Sequence, residues 1–170
     1  MTDAELLKYK RMEIDSLTYK LIQLHQHLID VETYNFIQKY FGYDKRFYEL
    51  VERLFKDLKH HIYKEEKILF PYLINLSKTE RNEIPFEKPY FETVKNPVEI
   101  MKSDHEQIIG NIKSIKELIT EKNSKINRTS GSFRKMKNFI EYVEKVVYLE
   151  NEILFPNSIS LENQILMSLK

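Results

Sequence analysis

Four stretches of this 170-residue chain repeat an apolar residue every third or fourth position, and that spacing fixes the fold class. Ile14, Leu17, Leu21, Leu24, Leu28 and Val31 step this way in the first stretch. Leu50, Leu54, Leu58, His61, Glu65, Ile68 and Tyr72 do so in the second, with two polar residues in the row. Met101, His105, Ile108, Ile112, Ile115 and Ile119 form the third row, and Phe139, Val143, Val146, Glu150 and Ile153 the fourth. A period near 3.6 puts each row on one face of a helix. With only 3 Gly, the chain is poor in the turns a β-rich fold consumes. The reading is all-α: an antiparallel four-helix bundle in a single domain over residues 1–170. The helices are expected at roughly 3–40, 43–76, 97–121 and 132–155, followed by a short tail that closes as a helix.

Connectors fall where they should. Phe41-Gly42 separates the first two helices, and residues 77–96, with Pro85 and Pro89, join the second to the third. Asn96-Pro97 reads as a cap followed by proline at the first helical position. Residues 122–132 form a polar loop. Pro71 and Pro156 each follow a Leu-Phe pair. Proline costs about 3 kcal/mol inside a helix, so each is expected to mark a helix end or a kink.

The chain also repeats itself. YKEEKILFP at 63–71 returns as YLENEILFP at 148–156, 85 positions later. LHQHLI at 24–29 resembles DHEQII at 104–109, at an offset of 80, which sets His25 over His105. The first helix hairpin is thus a distant copy of the second, related to it in the bundle by a pseudo-twofold axis.

Polar residues interrupt all four apolar rows. His25 lies between Leu21 and Leu28, His61 and Glu65 are one helical turn apart, and His105 and Glu150 sit among aliphatic neighbours. Taken singly, each has a structural explanation. His61 and Glu65 make an ordinary i,i+4 pair, His105 fits the edge of a core, and Glu150 can meet a lysine. Taken together, a buried carboxylate is costly unless it is paired or bound to a cation, and here two carboxylates and three histidines converge. The chain has no Cys, which removes thiol chemistry and thiolate metal sites. Imidazole with carboxylate suits iron or manganese, and also zinc. Net charge is +1, without the one-sign excess of a nucleic-acid or membrane surface. The N-terminus lacks an apolar signal core, and no window approaches the roughly 18 apolar residues of a membrane span. A cytoplasmic protein is expected.

HIYKEEKILFP at 61–71 resembles the His-x-x-x-Glu-Glu-x-x-Leu-Phe-Pro motif of haemerythrin-like proteins. NPVEIMKSDHEQIIGNI at 96–112 and LENEILFPNSI at 149–159 resemble the Repair of Iron Centres branch, bacterial di-iron proteins linked to recovery of iron–sulfur clusters after nitric oxide or oxidative stress. The resemblance covers roughly residues 15–160 and implies metal ligands at His61, Glu65, His105 and Glu150, with His25 as the first-helix ligand and His27 as its alternative. The departures are as informative. The family's fourth-helix histidine, four positions before the glutamate, is Val146 here. The branch also has two well-separated N-terminal histidines, where this chain has only the close pair His25 and His27 before His60. With no Cys, the chain carries none of the branch's cysteine-bearing domain. Oxygen-carrying haemerythrins place a second third-helix histidine where this chain has Ile109.

The resemblance implies a non-haem iron protein acting in iron–sulfur cluster repair or in the response to nitric oxide and oxidative stress. Its site would be di-iron, or a single ion where Val146 leaves one iron unheld. Oxygen, nitric oxide or peroxide would be its small ligands, and iron–sulfur proteins its clients. Two rival expectations stand beside it: a gas- or iron-sensing module, and a metal-free relic of the fold acting as an interaction protein.

Overall fold

Residues 1–41, 44–120 and 131–169 are described by the computed structural model. They form helices α1 (Asp3–Lys10), α2 (Ile14–Leu28), α3 (Val31–Phe41), α4 (Lys45–Lys64), α5 (Phe70–Glu80), α6 (Lys95–Thr120), α7 (Gly131–Leu149) and α8 (Phe155–Ser168). There is no strand among the described residues. An all-α helical bundle is the observed architecture. α2 and α3 form its first arm, α4 with α5 its second, α6 its third, and α7 with α8 its fourth. α4 packs on α6, and α2 packs on α5 and α7. The expected break at Phe41-Gly42 and most of the 122–132 loop lie outside the described residues.

The expected first helix, 3–40, is three helices. Thr2 starts α1 through a reciprocal cap with Glu5. α1 ends at Lys10, and its Tyr9 ring lies 5.4 Å from Lys145 Nζ on α7. A second break follows Leu28, because the Asp30 side chain accepts from the Thr33 N–H at 2.9 Å and starts α3. Asp44 begins α4 in the same way, accepting from the N–H groups of Arg46 and Phe47. Asn96 does not cap α6. It lies one residue inside the helix, and its side chain donates to the Phe91 carbonyl at 2.9 Å.

Of the two expectations for the prolines, a helix end or a kink, the helix end does not hold. Neither Pro71 nor Pro156 ends a helix. Each sits in the first turn of a continuing helix, α5 or α8, so the second arm runs on to Glu80 and the fourth to Ser168. Proline excludes the carbonyl four residues before it, and the turn ahead of each widens into a π turn, at Glu65–Leu69 and Glu150–Leu154. The Phe70 N–H bonds the Glu65 carbonyl, and the Phe155 N–H bonds the Glu150 carbonyl. The extra residue shifts the inward face. Leu69 is fully buried, while Ile68, on the expected inner row, is 37% exposed.

The core is continuous along the bundle, with Leu17, Leu21, Leu54, Leu58, Ile108, Ile112 and Val143 all within it. Burying each contributes roughly 1.5–3 kcal/mol. A smaller cluster of Leu76, Leu161 and Ile165 joins α5 to α8. Beside it the buried Glu162 accepts from the Tyr72 hydroxyl at 2.7 Å and the Val94 N–H at 2.8 Å, which anchors the chain entering α6. No helix among the described residues is long and apolar enough to cross a membrane.

Candidate metal centre

Within this apolar interior the buried charged and ionisable side chains are few, and five of them meet: His25, His61, Glu65, His105 and Glu150. One ligand atom each from His61, Glu65, His105 and Glu150 lies within 4.8 Å of the others. His61 Nε2 is 3.2 Å from Glu65 Oε2, and His105 Nε2 is 3.2 Å from Glu150 Oε2. The two Nε2 atoms of His61 and His105 are 2.8 Å apart. His25 completes the group, with Nε2 3.0 Å from Glu150 Oε1 and 3.4 Å from Glu65 Oε2. His27, the alternative to His25, faces the surface, with its ring edge-on to Tyr142. Val146 is buried and apolar, as its identity requires.

Helix geometry explains the convergence. His61 closes the last α turn of α4, and Glu65 opens the π turn directly above it. The π turn then aims two successive side chains usefully. Glu65 points to the centre, while Glu66 reaches across to the outer nitrogen of His25, Nδ1, at 3.2 Å. The second π turn does the same with Glu150 and Asn151, whose Oδ1 accepts from His105 Nδ1 at 2.9 Å. His61 Nδ1 faces Asp104 Oδ2 at 3.3 Å, and Asp104 also binds Lys64 Nζ. Each imidazole is thereby held by an outer acceptor at Nδ1, and its Nε2 is turned to the centre. Outer acceptors of this kind fix ring orientation and raise ligand basicity in metal sites. Phe70 stacks on His25 at 5.5 Å, and Phe155 on His105 at 5.8 Å, closing the flanks with dry aromatic surface.

The electrostatics are those of opposed charges held close in a dry interior. Burial pulls the His61 imidazole toward neutrality. The Glu65 charge and the Asp104 hydrogen bond outweigh it and push the group up to about 10. His25 is raised for similar reasons: burial opposes, and the hydrogen bond to Glu150 and the charge of Glu65 prevail. Burial pushes the Glu150 carboxyl up, but contacts with His105 and His25 bring it to about 2. Asp104 is likewise lowered to about 2, burial being offset by His61 and Lys64.

The carboxylates have these imidazoles as ion-pair partners but few hydrogen bonds. Both oxygens of Glu65 and Oε2 of Glu150 are buried without a partner in hydrogen-bond geometry. An orphaned buried carboxylate oxygen is costly, and a coordinated cation removes that cost. The donor set contains only imidazole nitrogen and carboxylate oxygen, which suits iron, manganese or zinc. The residues present therefore fit a metal ion.

Three contributors escape a reading of the rows: Glu66, Asp104 and Asn151. The repeat carries the signal for two of them, since Glu66 and Asn151 occupy the same place in YKEEKILFP and YLENEILFP. Asp104 had no signal beyond adjacency to His105.

A helical bundle with a nitrogen and oxygen donor cluster at its centre has the build of a protein that could hold a cation. The model of the hemerythrin HHE cation binding domain matches residues 17–158, and the chain belongs to that family. Among curated proteins, the iron-sulfur cluster repair protein YtfE of Yersinia pseudotuberculosis serotype IB (strain PB1/+) is 23% identical over 109 residues. The protein of the same name from Yersinia pestis (strain Pestoides F) is equally similar. Each match covers 62% of this chain and 43% of the relative, so it spans less than half of the relatives' length. No solved structure matches the chain significantly.

Proposed function

We propose that this chain is a non-haem iron-binding protein that serves iron–sulfur cluster repair under nitric oxide or oxidative stress. The observation that carries the reading is the meeting of His61, Glu65, His105 and Glu150 around three orphaned carboxylate oxygens. The similarity to the Yersinia iron-sulfur cluster repair proteins supports the assignment to repair. Those four residues would hold the ion. Asp104 and Asn151 keep the two imidazoles oriented with Nε2 inward, and Phe155 excludes water from the His105 side. When bound, iron in such a nitrogen and oxygen set supplies open positions for oxygen, nitric oxide or peroxide and a redox couple.

Two measurements test this. Protein purified anaerobically with iron supplied should carry iron, and less than about 0.2 iron per folded chain refutes the reading. Iron-loaded protein should also speed the recovery of a nitric-oxide-damaged [4Fe–4S] enzyme, and the His61→Ala variant should not. Equal recovery with both refutes the repair role while leaving metal binding intact.

A further inference from the structure

We infer that this chain holds one metal ion, in the half of the core built by His61, His105 and Asp104, and that the pseudo-symmetric half has been closed with apolar side chains. The inference rests on the metal-binding reading above. It starts from the repeat, whose two offsets pair residues across the pseudo-twofold axis: His25 with His105, Glu65 with Glu150, Glu66 with Asn151 and Phe70 with Phe155. The structure reproduces these pairs as contacts. His25 stacks on Phe70 with 16° between the rings, and His105 stacks on Phe155 with 10°. His25 Nδ1 meets Glu66 just as His105 Nδ1 meets Asn151. His25 lies 3.4 Å from Glu65, and His105 lies 3.2 Å from Glu150.

The same operation fails at three places, which set α4 and α6 on one side of the core against α2 and α7 on the other. His61 pairs with Val146, Asp104 with Leu24, and Lys64 with Leu149. In the first half these form a connected polar chain, in which Lys64 binds Asp104 and Asp104 binds His61 Nδ1. In the second half all three positions are aliphatic and buried, at 8% exposure for Leu24, 2% for Val146 and 0% for Leu149. The ligand, the acceptor that orients it and the cation that anchors the acceptor thus have no polar counterpart on that side. What remains on that side is His25, which has no imidazole opposite it and lies against Glu150 and Glu65. A second cation there would have one imidazole nitrogen.

Titration of the full, metal-stripped chain with cobalt(II) and, anaerobically, iron(II) tests this, with bound metal counted after gel filtration. One ion per folded chain is expected. Two ions overturn the inference while leaving the metal-binding reading standing, and none overturns both. His61→Ala should abolish the ion, and His25→Ala should retain it with at most about a tenfold loss in affinity. The opposite pattern puts the ion in the other half and overturns the inference. The triple substitution Leu24→Asp, Val146→His and Leu149→Lys should raise the count to two. If that variant does not fold, Val146→His alone is read in the same way. A folded variant that still stops at one ion refutes the claim that these positions close the second half.

Discussion

Replacing Asp104 with Asn removes a charge from behind His61, a proposed metal ligand, while keeping an oxygen that can accept from its imidazole. Asp104 Oδ2 lies 3.3 Å from His61 Nδ1. At that distance and an effective dielectric constant of about 20, two unit charges attract by about 5 kcal/mol. The figure is an upper bound. The Asp104 side chain is 22% exposed, and Lys64 already neutralises part of its charge. A discount to about 1.5–3 kcal/mol agrees with the 10–100-fold loss of affinity typical when such an outer partner is removed. The proton modifies this estimate. Asp104 also favours the proton on His61, which competes with the metal. The ion carries two charges against the proton's one, so the metal loses more, but near pH 7 the net loss should stay close to tenfold. It should widen as pH rises and the competing proton leaves. The assay is anaerobic competition for cobalt(II) or iron(II) against a chromophoric chelator between pH 6.5 and 8.5. Asp104→Ala, which also frees the ring to rotate, should lose more than Asp104→Asn. A loss below threefold in both variants, with native helicity, would refute the assignment of Asp104 as the residue that orients and charges His61.

Other outcomes follow from the same geometry. The metal-stripped protein should lose stability as pH rises from 6.5 toward 10: His61 is raised in the folded state, so its contribution is complete below 6.5 and fades through about 10. The urea midpoint should track a slope of at most about 1.4 kcal/mol per pH unit, and His61→Asn should flatten it. On the acid side the lowered Glu150 keeps its contribution above 4.5 and loses it only as pH falls through about 2. Metal uptake at pH 8 should expel about one proton per ion from His61, readable with an indicator in weak buffer, and uptake without proton release contradicts the raised imidazole. Phe155→Ala and Phe70→Ala should each cost about 3–5 kcal/mol in urea unfolding, since both rings are fully buried. Only Phe155→Ala should also weaken the metal substantially, because its partner His105 faces the ion; equal losses in affinity would contradict the one-sided centre.

Much of this architecture is written in the chain at the level of spacing. Rows such as Leu50, Leu54, Leu58 and His61 have no stable alternative to a helix with one buried face, and four such rows make a bundle. The central residues were legible because charge on an apolar stripe demands a partner. What periodicity hides is a change of period. The π turn before Pro71 adds a residue to the turn, so Leu69 replaces Ile68 on the inner face, and a fixed 3.6 repeat carries no trace of this. Glu66 follows from the same cause. In a regular helix it points about 100° away from Glu65, and only the widened turn and the approach of α2 bring it to His25. The segmented first arm was hidden because Ile14 through Val31 keep a helical rhythm across Ile29 and Asp30, where a short-range cap overrides it. Asp104 depends on how α6 lies against α4, which is tertiary information.

The two π turns sit at the same place in each half of the repeat, bounded by the same Leu-Phe-Pro, with the same amide-to-carbonyl bond across them. Deleting one residue from either turn would rotate everything beyond it by about 100° about the helix axis. That rotation would carry Phe70 or Phe155 away from the histidine it stacks on. The widened turns therefore set the phase between the donor cluster and the distal end of each arm.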